Sequence, residues 1–254
     1  MAKPIHFYGI HAINALLNQR PTDALQLFVQ QGRDDEQITS LIQTAEAMGV
    51  SVQPTSKDKL TALCDSPQHQ GVVLNARPLS PADESLLDSL VQKDEALFLV
   101  LDQITDAHNL GACLRTALAM GVDAVICPKH HSASLTPTVA KVSVGAMEVV
   151  PVVAVTNLAR TLDSLKQAGV FVFGTALDDT AKSLFDVTFT GKVGIVMGSE
   201  GEGMRRLTRE TCDELIYIPM QDNPTYAHVG FDSLNVSVAT GMVLCEVRRQ
   251  RLVK

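Results

Sequence analysis

Three short stretches of the 254-residue chain hold side chains that could do chemistry. The first, DAHNLGACLRTALAMG at 106–121, carries Asn109 and Arg115, an amide and a guanidinium suited to orienting and stabilising an anionic group. The second, KVGIVMGSEGEGM at 192–204, is an apolar run that opens into a loop with Gly198, Gly201 and Gly203. The third, IPMQDNPTYAHVGFDSLNVSVATGMVL at 218–244, brings Ser233 and Asn235 to the start of a helical pattern. The glycine loop has the outline of a phosphate cradle, where backbone N–H groups and a helix N-terminus gather an anion. Yet it lacks the Lys-Ser/Thr pair of a P-loop and contains Glu200 and Glu202, which would repel a phosphate.

A ligand carrying positive charge, such as the sulfonium and ammonium of S-adenosylmethionine, tolerates those carboxylates better. The elements around the three stretches say where such a ligand would sit. From residue 96 the chain alternates strands and helices. The strands are the apolar runs at 96–102, 122–128, 149–155, 170–176, 192–198 and 214–220. They are continuous rather than alternating, as expected of parallel strands covered on both faces. Helices predicted near 109–120, 157–168, 204–211 and 233–250 supply the cover. Such an open α/β sheet binds ligands at the C-terminal ends of its strands, where the three stretches fall. Leu110, Cys113, Leu114, Ala117 and Leu118 form one helical stripe, with Asn109 at the helix start as a cap and Arg115 off the stripe, expected toward the crevice side. Ser233 is also suited to an N-cap, and Ser237, Ala239, Thr240 and Gly241 suit a close helix contact.

The first 75 residues read as a smaller α/β unit: a helix near 10–18, a strand at 25–30, a helix at 35–49, and strands near 50–53 and 71–76. The polar, proline-containing stretch 77–95 is the expected linker, with one short helix candidate. The resulting domains are 1–76, the linker 77–95 and 96–254. The chain is 46% hydrophobic and 19% charged, which excludes disorder, and its net charge of −7 argues against a wholesale nucleic-acid coat. Binding to RNA would therefore rest on a few placed arginines. Arg205, Arg206 and Arg209 follow the glycine loop, while the cluster Arg248, Arg249, Arg251 and Lys254 reads as a solvated face. The longest apolar run, Ala96 to Leu101, is too short for a membrane span, and no signal-peptide core precedes it. Five scattered cysteines, Cys64, Cys113, Cys127, Cys212 and Cys245, show no metal-ligand spacing and suit reduced thiols in a cytoplasm, so no metal is expected.

Taken together, NLGACLRTALAMG, VMGSEGEGMRRLT and IPM…SLNVSVATG, in this order, resemble the three motifs of the SpoU/TrmH branch of the SPOUT RNA methyltransferases. YGIHAINALL near the N-terminus and HQGVVL at 69–74 add to the likeness, which spans essentially the whole chain. The resemblance implies methyl transfer from S-adenosylmethionine to a ribose 2′-hydroxyl, with a guanosine of the large-subunit (23S) rRNA as target, either naked or in an assembly particle. It implies a homodimer whose site is completed across the interface. It also implies a C-terminal trefoil knot, where the general rarity of knots would have suggested an unknotted sheet. The N-terminal unit corresponds to an RNA-binding domain on a flexible linker. By motif, the active-site positions are Asn109, Arg115, Glu200, Ser233 and Asn235. Gly198, Ile218 and Leu234 correspond to cofactor-contacting positions, with Met220 and Thr175 as pocket wall. Family proposals make the arginine the base; a guanidinium stays protonated, so Arg115 could instead hold the neighbouring phosphate and stabilise developing charge. The segment Gln221 to Asp232 departs from the family pattern, being longer there, and brings Tyr226, His228 and Phe231, which could stack on a base. Alternatives are a tRNA methyltransferase of the same branch and a non-catalytic RNA-binding assembly factor that keeps the fold.

Overall fold

A computed structural model describes residues 3–33, 35–221 and 233–252. The chain divides into two compact units, Met1–Ser80 with Ser134–Val149, and Pro81–Ala133 with Val150–Lys254. In the first unit, β1 (Ile5–Tyr8), β2 (Ala24–Gln30), β3 (Ser51–Thr55) and β4 (Val72–Ala76) form a sheet in the order β1-β4-β2-β3. α1 (Ile10–Gln19), α2 (Glu36–Ala47) and α3 (Lys57–Cys64) accompany it. Their starts follow from short polar caps: Asp35 accepts from Ile38 N and Ser56 from Lys59 N. Phe7, Ile13, Leu16, Leu17, Leu27 and Leu74 fill the interior. β1 and α3 were not expected from the sequence. β1 is only four residues of mixed pattern, and α3 has one fully buried side chain, Leu60, too little for a periodic signal.

The strand read from 149 begins only at Val152, and the stretch Ser134–Glu148 was likewise unassigned. It contains α6 (Pro137–Val142) and a 3-10 turn at Ala146–Glu148. Within the first unit, Glu148 accepts a bidentate pair from Arg20 at 2.7 and 3.0 Å, with side-chain exposures of 1% and 11%. Lys141 Nζ donates to Gln70 Oε1 at 2.6 Å, and Gln70 Oε1 also accepts the N–H of Ile10 at the head of α1.

The second unit is a seven-stranded sheet in the order β7-β6-β5-β10-β8-β11-β9, parallel at every pairing. Its strands are β5 (Leu97–Leu101), β6 (Ala124–Pro128), β7 (Val152–Val155), β8 (Phe171–Thr175), β9 (Lys182–Ser183), β10 (Val193–Met197) and β11 (Glu214–Tyr217). All five residues of β5, β6 and β10 are buried, which is why those runs carry no polar alternation. The cover is α4 (Leu86–Leu90), α5 (Ala107–Met120), α7 (Leu158–Gln167), α8 (Arg206–Thr211) and α9 (Val236–Leu252). α4 lies in the stretch read as a linker, and it puts Leu87 with Val91 into a cluster that includes Phe98, Ile126 and Leu162. α5 packs on α9, where Cys113 Sγ and Thr240 Oγ1 lie 3.6 Å apart. The Gln221–Asp232 segment lies, apart from Gln221, outside the described residues.

Candidate active site

The site is built where β5, β8, β10 and β11 end. β10 runs straight into the glycine loop, and the loop is a tight hairpin rather than an open cradle. Ser199 and Gly203 exchange both backbone hydrogen bonds, at 3.0 and 2.9 Å, leaving Glu200, Gly201 and Glu202 as a three-residue tip. Gly198 is required by close approach: a Cβ there would lie 2.3 Å from Gly203 C and Met204 N. Gly201 turns the tip with φ of +86°, a region that favours glycine. The far end of the loop is pinned by Asp102, fully buried at the end of β5, which accepts from Arg205 N, Nε and Nη2 at 2.9, 2.8 and 2.7 Å. A buried carboxylate satisfied by a charged donor and a backbone N–H makes a rigid anchor.

This hairpin aims Glu200 at the heads of two helices. Its Oε1 accepts from Asn109 Nδ2 at 3.3 Å, Asn235 Nδ2 at 2.5 Å and Val236 N at 3.1 Å. Asn235 Nδ2 also donates to Asn109 Oδ1 at 3.0 Å. The carboxylate thus covers a free N–H at the start of α9, where the helix macrodipole favours negative charge. That explains one acid in the glycine loop: Glu200 serves protein N–H groups. Asn235, the residue just before Val236, takes the capping position that the sequence suggested for Ser233; its Oδ1 accepts from Ser237 N at 3.0 Å and Ser237 Oγ at 2.6 Å. Asn109 is not the cap of α5 either. Asp106 is, accepting the N–H of Asn109 at 2.8 Å, which frees the Asn109 side chain to reach across.

Beside this cluster lies a cavity of about 370 Å³. Its wall includes Thr175, Gly198, Ile218, Met220 and Leu234, the five positions expected to meet a cofactor, together with Glu200 and Ser233. Thr175 Oγ1 donates to Val196 O at 3.0 Å, tying β8 to β10 beneath it. The lining tests whether S-adenosylmethionine fits. Leu177, Ile218, Met220 and Leu234 give apolar surface for a base, and Glu202 adds a carboxylate suited to sulfonium and ammonium. Arg209, a cation in the wall, has its guanidinium occupied by Asp178. The residues present fit that cofactor and would reject a phosphate. Among the described residues no group of three or more His, Cys, Asp or Glu could hold a metal ion.

Arg115 stands apart. It is exposed on α5, six residues beyond Asn109, which in a regular helix means about 9 Å along the axis and roughly 120° around it. Among the described residues it makes no hydrogen bond or ion pair. Asn109, Glu200 and Asn235 are therefore brought together, Ser233 and the five cofactor positions line the cavity, and Arg115 faces outward. Sequence reasoning passed over Asp106 and the wall residues Met197, Met204 and Tyr217, and it gave Ser237 a different part, as a small residue of a helix contact. Capping logic could have found Ser237, two places after an Asn at a helix start.

Residues 96–245 match the SpoU rRNA Methylase family, and residues 7–82 match a family described as RNA 2'-O ribose methyltransferase substrate binding. The chain is 50% identical over 254 residues to the 23S rRNA (guanosine-2'-O-)-methyltransferase RlmB of Acinetobacter baylyi, covering 99% of this chain and 100% of that protein. It is 46% identical to the protein of the same name from Escherichia coli K12, covering 96% and 98%. The fold matches a crystal structure of the SpoU methyltransferase AviRb from Streptomyces viridochromogenes in complex with AdoMet, with a TM-score of 0.78 at 22% identity, covering 99% of this chain and 92% of that one. With a family match over more than half its length and a full-length relative sharing half its residues, the chain belongs to the SpoU rRNA methylase family.

Proposed function

We propose that the protein transfers a methyl group from S-adenosylmethionine to the ribose 2′-hydroxyl of one guanosine in 23S rRNA. The observation that carries this reading is Glu200, one carboxylate that both lines the cavity and gathers Asn109 and Asn235 outside it. Substrate and target follow the names of the full-length relatives. S-adenosylmethionine supplies an electrophilic methyl group. The chain's own task is to present a ribose hydroxyl, a weak nucleophile, in line with it. Asn109, Asn235 and Glu200 offer amide and carboxylate groups to hold that ribose. Arg115, permanently protonated, binds the neighbouring phosphate and stabilises charge developing on the ribose oxygen.

Because Arg115 faces away from its own cluster, we assign it to the site of a second copy. A homodimer is supported by Leu118 on α5 and by Val238 and Met242 on α9, which expose 42%, 52% and 43% of their surface on two helices that pack together. A trefoil knot is supported by the placement of β10 between β5 and β8, with α9 returning against α5. The first unit, whose residues match a substrate-binding family, reads the RNA, either free or in a large-subunit particle. The described helices are too short or too polar to cross a membrane. A cytoplasmic location is supported by the rRNA target in the names of the relatives.

The test is transfer of labelled methyl from S-adenosylmethionine to unmodified 23S rRNA, with the mark located by primer extension at low nucleotide concentration. A single labelled guanosine ribose is expected. Label confined to tRNA, or cofactor binding with no transfer to 23S rRNA or to large-subunit particles, would overturn the assignment.

A further inference from the structure

The amide of Asn235 is symmetric in shape but not in chemistry, and only one of its two orientations works. With Nδ2 toward Glu200 it donates to Glu200 Oε1 and to Asn109 Oδ1, at 2.5 and 3.0 Å. Flipped by 180°, it would set Oδ1 against two acceptor oxygens, one of them ionised. What holds the working orientation lies on the opposite side. There Oδ1 accepts two hydrogen bonds from a single residue, Ser237: the backbone N–H at 3.0 Å and the hydroxyl at 2.6 Å. The backbone bond alone is an ordinary helix cap. The hydroxyl is an added donor, and it can serve because Ser237 sits in the first turn of α9, half-buried, with its side chain turned back to the helix start.

We propose that Ser237 is a positioning residue for methyl transfer: its hydroxyl fixes the Asn235 amide, and through it the Asn109–Glu200–Asn235 cluster, in the orientation that receives the ribose. The inference rests on the reading of that cluster as the active site. The Ser237 side chain does not line the cavity and its hydroxyl bonds to Asn235 rather than to Glu200, so its effect reaches the reaction through Asn235. Removing the hydroxyl leaves Oδ1 with the backbone donor alone. One net hydrogen bond corresponds to roughly a twofold to tenfold effect.

The experiment compares Ser237→Ala, Ser237→Thr and Asn235→Ala in the full-length protein, measuring kcat and KM for 23S rRNA together with equilibrium binding of S-adenosylmethionine. Ser237→Ala is expected to lower kcat about twofold to tenfold with cofactor binding unchanged. Ser237→Thr, which keeps the hydroxyl, is expected to recover most of that loss. In the Asn235→Ala background, the further change Ser237→Ala should cost nothing more, because the group it orients is gone. If Asn235→Ala is severely impaired while Ser237→Ala matches wild type, the positioning role is wrong and the active-site reading stands. If Asn235→Ala itself is as active as wild type, the active-site reading fails and takes the inference with it. If Ser237→Thr is no better than Ala, or if the two losses simply multiply, the hydroxyl acts through helix stability and not through the amide.

Discussion

Replacing Glu200 by Gln keeps the shape of the side chain and removes its charge, so it isolates what the carboxylate contributes. Three donors converge on Oε1: Asn109 Nδ2 at 3.3 Å, Asn235 Nδ2 at 2.5 Å and Val236 N at 3.1 Å. A hydrogen bond to an ionised acceptor contributes about 1.5–3 kcal/mol and a neutral one about 0.5–1.5, so neutralisation forfeits on the order of 1 kcal/mol per bond. Glu200 is exposed, and solvent screening brings the three together down to roughly 1.5 kcal/mol. The lost charge at the head of α9 adds about 0.5 kcal/mol. The total, about 2 kcal/mol, corresponds to roughly a thirtyfold fall in kcat, since 1.36 kcal/mol is tenfold. Thermal stability should respond much less, because the freed N–H groups stand near water and can be rehydrated. The assay pairs methyl-transfer kinetics with a melting curve and a cofactor titration on the same preparation. A kcat within twofold of wild type would refute the claim that the charge organises the cluster. A loss of kcat matched by loss of cofactor binding would instead make Glu200 a wall residue of the cavity and nothing more.

Arg115→Ala should lower turnover by about a hundredfold or more while shifting stability by less than about 0.5 kcal/mol, since the side chain is exposed and makes no hydrogen bond or ion pair among the described residues. Mixing it with a Glu200→Gln chain should restore part of the activity if each site borrows Arg115 from the other copy, and no restoration at any ratio would refute the shared site. Glu148→Ala should destabilise the first unit by about 2 kcal/mol, because it leaves the largely buried Arg20 guanidinium with only Asp23 and the carbonyl of Arg77; an unchanged melting curve would refute this. Burial pushes the thiols of Cys113, Cys127 and Cys212 up from 9.0 to about 11, 12 and 12. A thiol that holds its proton more tightly when folded favours the unfolded state once pH exceeds the unfolded value, so stability should fall from about pH 9 upward through pH 12. A Cys-free variant melting with the same alkaline slope would show that other groups set it. A thiol reagent at neutral pH should label the exposed Cys245 well before those three.

The parallel sheet was legible because its strands are apolar on both faces: β5, β6 and β10 themselves contain no charged residue, and the charges in their runs, Asp102, Asp123 and Lys192, stand at the ends. The cavity positions were legible through the motifs, which put Gly198, Ile218 and Leu234 at strand ends and loop starts. What escaped was decided by partners distant in sequence. α6 is six residues long, and it makes sense only beside β1 and α1, more than a hundred residues away. The caps escaped by a few residues: Asp106 displaced Asn109, and Asn235 displaced Ser233, because several capping residue types stand together and the chain selects among them by what the freed side chain can reach. No local pattern could tell that Glu200 would be claimed by the head of α9, since that depends on a hairpin folding back between strands.

The passage of Ser134–Val149 into the first unit bears on how such a protein can be taken apart and recombined. Its contact set makes one compact body from two separate stretches of chain, so the gene holds that body as an interrupted text. A single crossover near codon 80 would carry Arg20 and Gln70 away without Glu148 and Lys141, which are encoded beyond β6. The substrate-binding sequence family, which ends at residue 82, is therefore shorter than the part that folds. Exchange of such substrate-binding modules would have to bring a matching sixteen-residue insert with it, or leave a largely buried arginine without its Glu148 partner.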